Sequence, residues 1–226
     1  MASESPNSPQ VFKGALAVYP EQTPGTQPKI IVFQYNPEQL RRTLTPRAAP
    51  PDKGNAGAAR EEVLRVQGPP IETISMTVEL DATDQLEDPN NNSSAVQNGL
   101  QPELATLELL LYPSTSTAQN QQQQAQQGKV QVSTADLPLT LLVWGKSRVT
   151  PVLLTTFSVT EEAFDVNLNP IRAKVELAMK VLTYMELQTS SLGTDAFMSY
   201  QRQKENFAQQ SQPRSDDNRV RGLLPI

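Results

Sequence analysis

Residues 171 to 181, IRAKVELAMKV, alternate sides without a break. Ile171, Ala173, Val175, Leu177, Met179 and Val181 fall on one face, and Arg172, Lys174, Glu176, Ala178 and Lys180 on the other. A period of two is that of a β-strand with one face on a core and the other in water. Continued through VLTYMEL to residue 187, this strand is longer than the usual strand of roughly five or six residues. It is therefore read as the wall of a barrel or as a strand that runs past its own subunit. The polar set Arg172, Lys174, Glu176 and Lys180 is then either a solvated face or one that lines an enclosed channel or meets another subunit.

Other segments carry the same signal. IETISMTVEL (71 to 80) places Ile74, Met76, Val78 and Leu80 on one face. VFKGALAVY (11 to 19), KIIVFQY (29 to 35), EEVLRV (61 to 66), PLTLLVWG (138 to 145) and PVLLTTFSVT (151 to 160) are rich in β-branched, aliphatic and aromatic residues. The run FQYNPEQL breaks at Asn36-Pro37, a strong turn signal. LQPELATLELLLYP (100 to 113) spaces Leu100, Leu104, Leu107 and Leu111 as a helix does, with Pro102 in the first turn and Pro113 as a stop. It is predicted to be the main helix. After Ser190, TDAFMSYQRQKENFAQQ reads as a capped helix with Phe197, Tyr200, Lys204 and Phe207 along one stripe. That stripe docks either on its own domain or on a neighbour.

Between these elements, 45–60, 82–99 and the Gln-rich insertion 114–136 are predicted as long loops, and 1–10 as disordered. The expected organisation is one β domain over 11–190 followed by a helix and tail over 191–226. The predicted fold class is mainly β with one packed helix (α+β): an antiparallel β-barrel or sandwich with a peripheral C-terminal helix.

The chain contains no cysteine and no histidine. Thiolate nucleophiles, Cys/His zinc sites and Ser-His-Asp arrangements are excluded together. No pair of carboxylates stands out by spacing, and GKSR (145 to 148) lacks the upstream glycine of a phosphate loop. A net charge of −5, with no clustered basic stripe, disfavours nucleic acid as a partner. Neither a secretory leader nor an apolar run long enough to span a bilayer is evident, so synthesis in the cytoplasm without membrane insertion is expected. These readings describe a binding or structural module, without catalytic residues, metal or cofactor.

FQYNPEQL, VQGPPIETISMTVELDATD, LATLELLLYP, PLTLLVWGK and FSVTEEAFDVNLNPIRAKVELAMKV, in this order, resemble the tube-like domain of contractile injection systems. More narrowly they resemble the baseplate tube-initiator or hub-adaptor protein that often carries a LysM module. The resemblance rests on Phe33 to Leu40, Leu80-Asp81, Trp144-Gly145 and Pro170 to Ala173, and covers residues 11 to 187. A LysM signature is not found here. The resemblance implies a homo-oligomeric, hexameric ring that joins a spike or hub protein and other baseplate proteins to the inner tube protein and templates the tube. It implies that Tyr35, Asn36, Pro37, Glu38, Arg41 and Arg42 lie at a subunit or ring interface. It also implies that Arg172, Lys174, Glu176 and Lys180 face the lumen, and that Phe197, Tyr200 and Phe207 dock a partner in place of the missing module. An assembled injection particle is the implied destination. A regular inner-tube subunit and a tube-loaded cargo or accessory protein are the alternatives.

Overall fold

The structure, a computed structural model, describes residues 12–19, 26–47, 66–113, 115–126, 137–211 and 223. The strands among them are β1 (Ala15–Tyr19), β2 (Lys29–Val32), β3 (Leu40–Thr45), β4 (Ile71–Asp81), β5 (Leu139–Val143), β6 (Val149–Phe164) and β7 (Pro170–Val181). The helices are α1 (Thr83–Glu87), α2 (Ser93–Asn98), α3 (Gln101–Glu108), α4 (Thr115–Gln126) and α5 (Leu192–Gln209). All strands join one antiparallel sheet in the order β2-β1-β5-β6-β7-β4-β3. The expected mainly β architecture with a peripheral C-terminal helix is what the chain forms.

The alternations in β4 and β7 generate the core. Ile74, Met76, Val78 and Leu80 point the same way as Ala173, Val175, Leu177, Met179 and Val181, and all are buried. Leu16 and Val18 of β1, separated from β4 in the sheet by β5, β6 and β7, join the same cluster, so the sheet wraps around its contents. Leu100, Leu104, Leu107 and Leu110 from α3 and its flanks fill the open side. A pair of hydrogen bonds draws the sheet ends together: Gln34 Nε2 donates to the Asp81 carbonyl at 2.7 Å, and the Asp81 N–H donates to Gln34 Oε1 at 2.9 Å.

Several boundaries differ from the sequence reading. β7 ends at Val181, not at residue 187, because the chain turns at Thr183–Glu186, where Glu186 accepts from the Thr183 N–H and hydroxyl. The helix predicted over 100–113 is confined to Gln101–Glu108, and α5 is longer. The expected loop 82–99 contains α1 and α2, anchored by buried Ala82 and Ala95. Gly99 permits that packing: its φ is +56°, and a Cβ there would sit 2.3 Å from the Pro170 carbonyl oxygen. Part of the Gln-rich insertion is α4, a helix without a buried residue, consistent with the helix propensity of Gln and Ala rather than with packing. Leu40–Thr45, for which no strand is predicted, is an edge strand on β4. The predicted disordered 1–10, residues 48–60 of the predicted loop, 61–65 of the predicted strand, 127–136 of the Gln-rich insertion and the tail beyond 211 lie outside the described residues, apart from residue 223.

Candidate assembly face

The polar side of β6-β7-β4-β3 is a continuous four-stranded surface. Register sets Ser158 beside Glu176 and Thr160 beside Lys174 on β6 and β7. It likewise sets Lys180, Ala178, Glu176, Lys174 and Arg172 against Thr73, Ser75, Thr77, Glu79 and Asp81 on β4. β3 extends the surface with Arg41 opposite Ser75 and Thr43 opposite Thr73. Arg172, Lys174, Glu176 and Lys180 therefore do share one face, as their alternation required. Three of them are already paired: Arg172 with Asp81 at 3.0 Å, Lys174 with Glu162 at 2.8 Å and Lys180 with Glu186 at 3.2 Å. Asp81 and Glu162 supply the balancing charge, so the face is hydrophilic without a strong field of one sign.

Two long edges flank this surface. Among the described residues β3 has a ladder partner, β4, on one side only. β5 pairs with β6 only from Val149 to Val152, so among the described residues no strand meets that edge of β6 from Leu153 to Phe164. Bulges near Leu154/Thr156 and Glu161/Ala163, with Glu161 and Glu162, are the features that keep a bare edge from indiscriminate pairing.

The corner FQYNPEQL is mostly spent inside the chain. Phe33 is buried, Gln34 holds Asp81, and Asn36 accepts from the Gly14 N–H at 2.8 Å and donates to the Phe12 carbonyl at 2.9 Å. Tyr35, Glu38 and Arg41 remain exposed, and Pro37 is half-buried. Tyr35 to Gln39 and β4's Thr77 and Glu79 border one depression. Arg42 points to the opposite side of β3 from Arg41 and donates through Nε to Glu72 Oε1 at 2.7 Å.

Glu72 had not been singled out by its sequence. Its position has the parity of Ile74, Met76, Val78 and Leu80, so an acid in a core register was the available signal. The carboxylate is buried and also accepts from Tyr200 Oη at 3.0 Å and Lys204 Nζ at 2.9 Å. Burial pushes its pKa up, but the hydrogen bonds and charges of Arg42 and Lys204 outweigh that and leave it below the ordinary carboxylate value. Burial, reinforced by the Glu72 charge, raises the Tyr200 phenol to about 12. This cluster ties α5 to β4 and β3.

The aromatic stripe of α5 is consequently divided. Phe197 and Tyr200 are each 4 % exposed and occupied by their own domain, Phe197 edge-on to Tyr184 at 6.0 Å. Phe207 alone of the three, at 51 % exposure, is presented outward. Ala196 of α5 and Leu187 cover a second small apolar cluster of Ala17, Leu139 and Leu141.

Among the described residues no group of His, Cys, Asp and Glu could hold a metal ion, and no helix is long and apolar enough to cross a membrane. Residues 11–189 match the family described as contractile injection system tube protein. The curated proteins contain no match to the chain.

Proposed function

The chain belongs to the contractile injection system tube protein family, and from that premise we propose that its copies join edge to edge into a closed ring at the base of an inner tube. The observation that carries this reading is the four-stranded half β6-β7-β4-β3, polar on its outer face, with no strand among the described residues on the outer side of β3 or beside β6 beyond Val152. β3 of one copy adds to the Leu153–Phe164 edge of β6 in the next, giving main-chain hydrogen bonds to both edges at once. Tyr35, Glu38 and Arg41 lie beside that seam, and Arg172, Lys174, Glu176 and Lys180 line the lumen. Asn36 and Arg42 support the seam from inside the subunit.

In this reading the ring is hexameric and joins a spike or hub protein to the inner tube protein. It carries load in an injection particle and catalyses nothing. Residues 11–190 are the ring-forming unit, and 191–226 carry α5, whose Phe207 faces outward as a docking point for a partner. The family description equally favours a second reading, a regular inner-tube subunit. The helical additions α1, α2 and α4 favour the adaptor, because a subunit that stacks uniformly gains from a smooth outline.

The chain lacks cysteine, which makes the seam testable by cross-linking. A Thr43→Cys, Thr160→Cys variant treated with a bismaleimide is expected to give a ladder ending at a closed multimer, while either single variant gives at most dimers. Monomers only, at concentrations where particles assemble, would remove the edge-to-edge ring. Electron microscopy of particles with and without the gene separates the roles. Loss of tubes and sheaths marks an obligatory assembly part, normal particles mark a cargo or accessory protein, and long tubes from the purified chain alone mark a regular subunit.

A further inference from the structure

We propose that the turn between β6 and β7 is an apolar plug, built on Val166 and Leu168, that seats in a cleft of a different polypeptide stacked against that end of the ring. This rests on the ring reading above. Val166 is 98 % and Leu168 79 % exposed, the opposite of what an ordinary hairpin tip presents. The side chains of Asp165 and Asn169 are spent on the turn itself. Asp165 Oδ1 accepts from the N–H groups of Asn167 at 2.7 Å and Asn169 at 2.8 Å, and Oδ2 accepts from Asn169 Nδ2 at 2.9 Å. Asn169 Nδ2 also reaches the Gln97 carbonyl at 3.1 Å, fixing the turn to α2.

Leu168 sits at φ +65°, a left-handed conformation that Gly or Asn adopts more readily. The turn thus holds its amides in hydrogen bonds and displays aliphatic groups at a conformational cost. A braced turn loses little entropy when it docks. Phe164 at 49 % and Val96 at 41 % exposure add to the apolar surface of the same region.

Geometry chooses the occupant. β4 ends where Asp81 meets Arg172, whereas β6 and β7 continue pairing to Phe164 and Pro170, so the turn stands beyond the end of β4. Strand edges point sideways, toward copies in the same ring; strand ends point along the ring axis. All tips of one ring share a direction, so the end they form is the one a stacked layer meets. The fitting partner is an apolar cleft on the next layer.

A Val166→Cys variant of this cysteine-free chain supplies a single thiol as a probe. Maleimide is expected to label that thiol readily in the purified variant and much more slowly in intact particles. A benzophenone carried on the same thiol through assembly is expected to yield an adduct with another polypeptide, identified by mass spectrometry. A Val166→Asp, Leu168→Asp double variant should keep the β3–β6 cross-links yet hold the next layer about tenfold or more weakly for each side chain lost. Equal labelling of the thiol in particles and in the free chain, or an adduct with a second copy of this chain, overturns the plug. Failure of the Thr43→Cys, Thr160→Cys variant to cross-link, with Val166 and Leu168 intact, overturns the ring itself and the plug with it.

Discussion

Glu72 concentrates the consequences of single side chains. One carboxylate satisfies Arg42, Tyr200 and Lys204, and Lys204 also lies over the Tyr200 ring at 4.0 Å. Removing the acceptor strands a buried phenol and two cations that keep some solvent contact. Glu72→Ala is therefore expected to cost about 2–4 kcal/mol, measured as a lowered urea midpoint. Acid acts on the same class of group. Burial raises the Glu186 carboxyl, but hydrogen bonds from Thr183, Arg47 and Lys180 dominate and bring it to about 2, from an ordinary 4.5. A carboxylate lowered in the folded state contributes fully above its ordinary value and loses that contribution as pH falls, because the unfolded chain takes up the proton first. Stability is expected to decline between pH 4.5 and about 2, less steeply in Glu186→Gln, as read from denaturation midpoints across that range.

Among the elements, α5 is the one whose role depends most on its attachment. Ser191 Oγ accepts from the Thr194 N–H at 3.3 Å, which caps the helix, and Phe197 and Tyr200 are buried against the sheet. A chain ending at Gln188 uncovers Ala17, Leu139 and Leu141, which α5 and its approach shield. Its expected behaviour is a lower melting temperature and self-association under conditions where the intact chain stays dispersed. The helix was legible as a capped amphipathic segment. Its partner was not, because a helical stripe fits its own sheet and a foreign surface equally well until the residue opposite, here Glu72, is known.

At the scale of the whole molecule, the polar four-stranded face is neutralised by its own pairs, so charge reversal acts locally. Lys174→Glu sets three acids together at Glu162, Glu79 and position 174, and is expected to destabilise the distal β6–β7 ladder. Faster amide exchange from Ser158 to Glu162, with the β1–β5 ladder unaffected, is the measurement that checks it. Alternation placed Arg172, Lys174, Glu176 and Lys180 on one face correctly. It was blind to their partners, which come from β4, from the far strand of the hairpin and from the turn at Glu186.

The sequence by itself determined the elements whose pattern is local. β4 and β7 follow from alternation, α3 from leucine spacing behind Pro102, and α5 from the stripe of Phe197, Tyr200, Lys204 and Phe207. A period of two or of 3.6 records one face against one core, and needs no knowledge of what lies opposite. The tertiary structure alone decided what depends on pairs distant in sequence. Leu40–Thr45 became a strand through β4, Gln34 a clasp through Asp81, and Glu72 a buried anchor through Arg42 and Lys204. It also decided which edges stay bare among the described residues, since an edge is defined by the neighbour a strand lacks, and composition does not encode that.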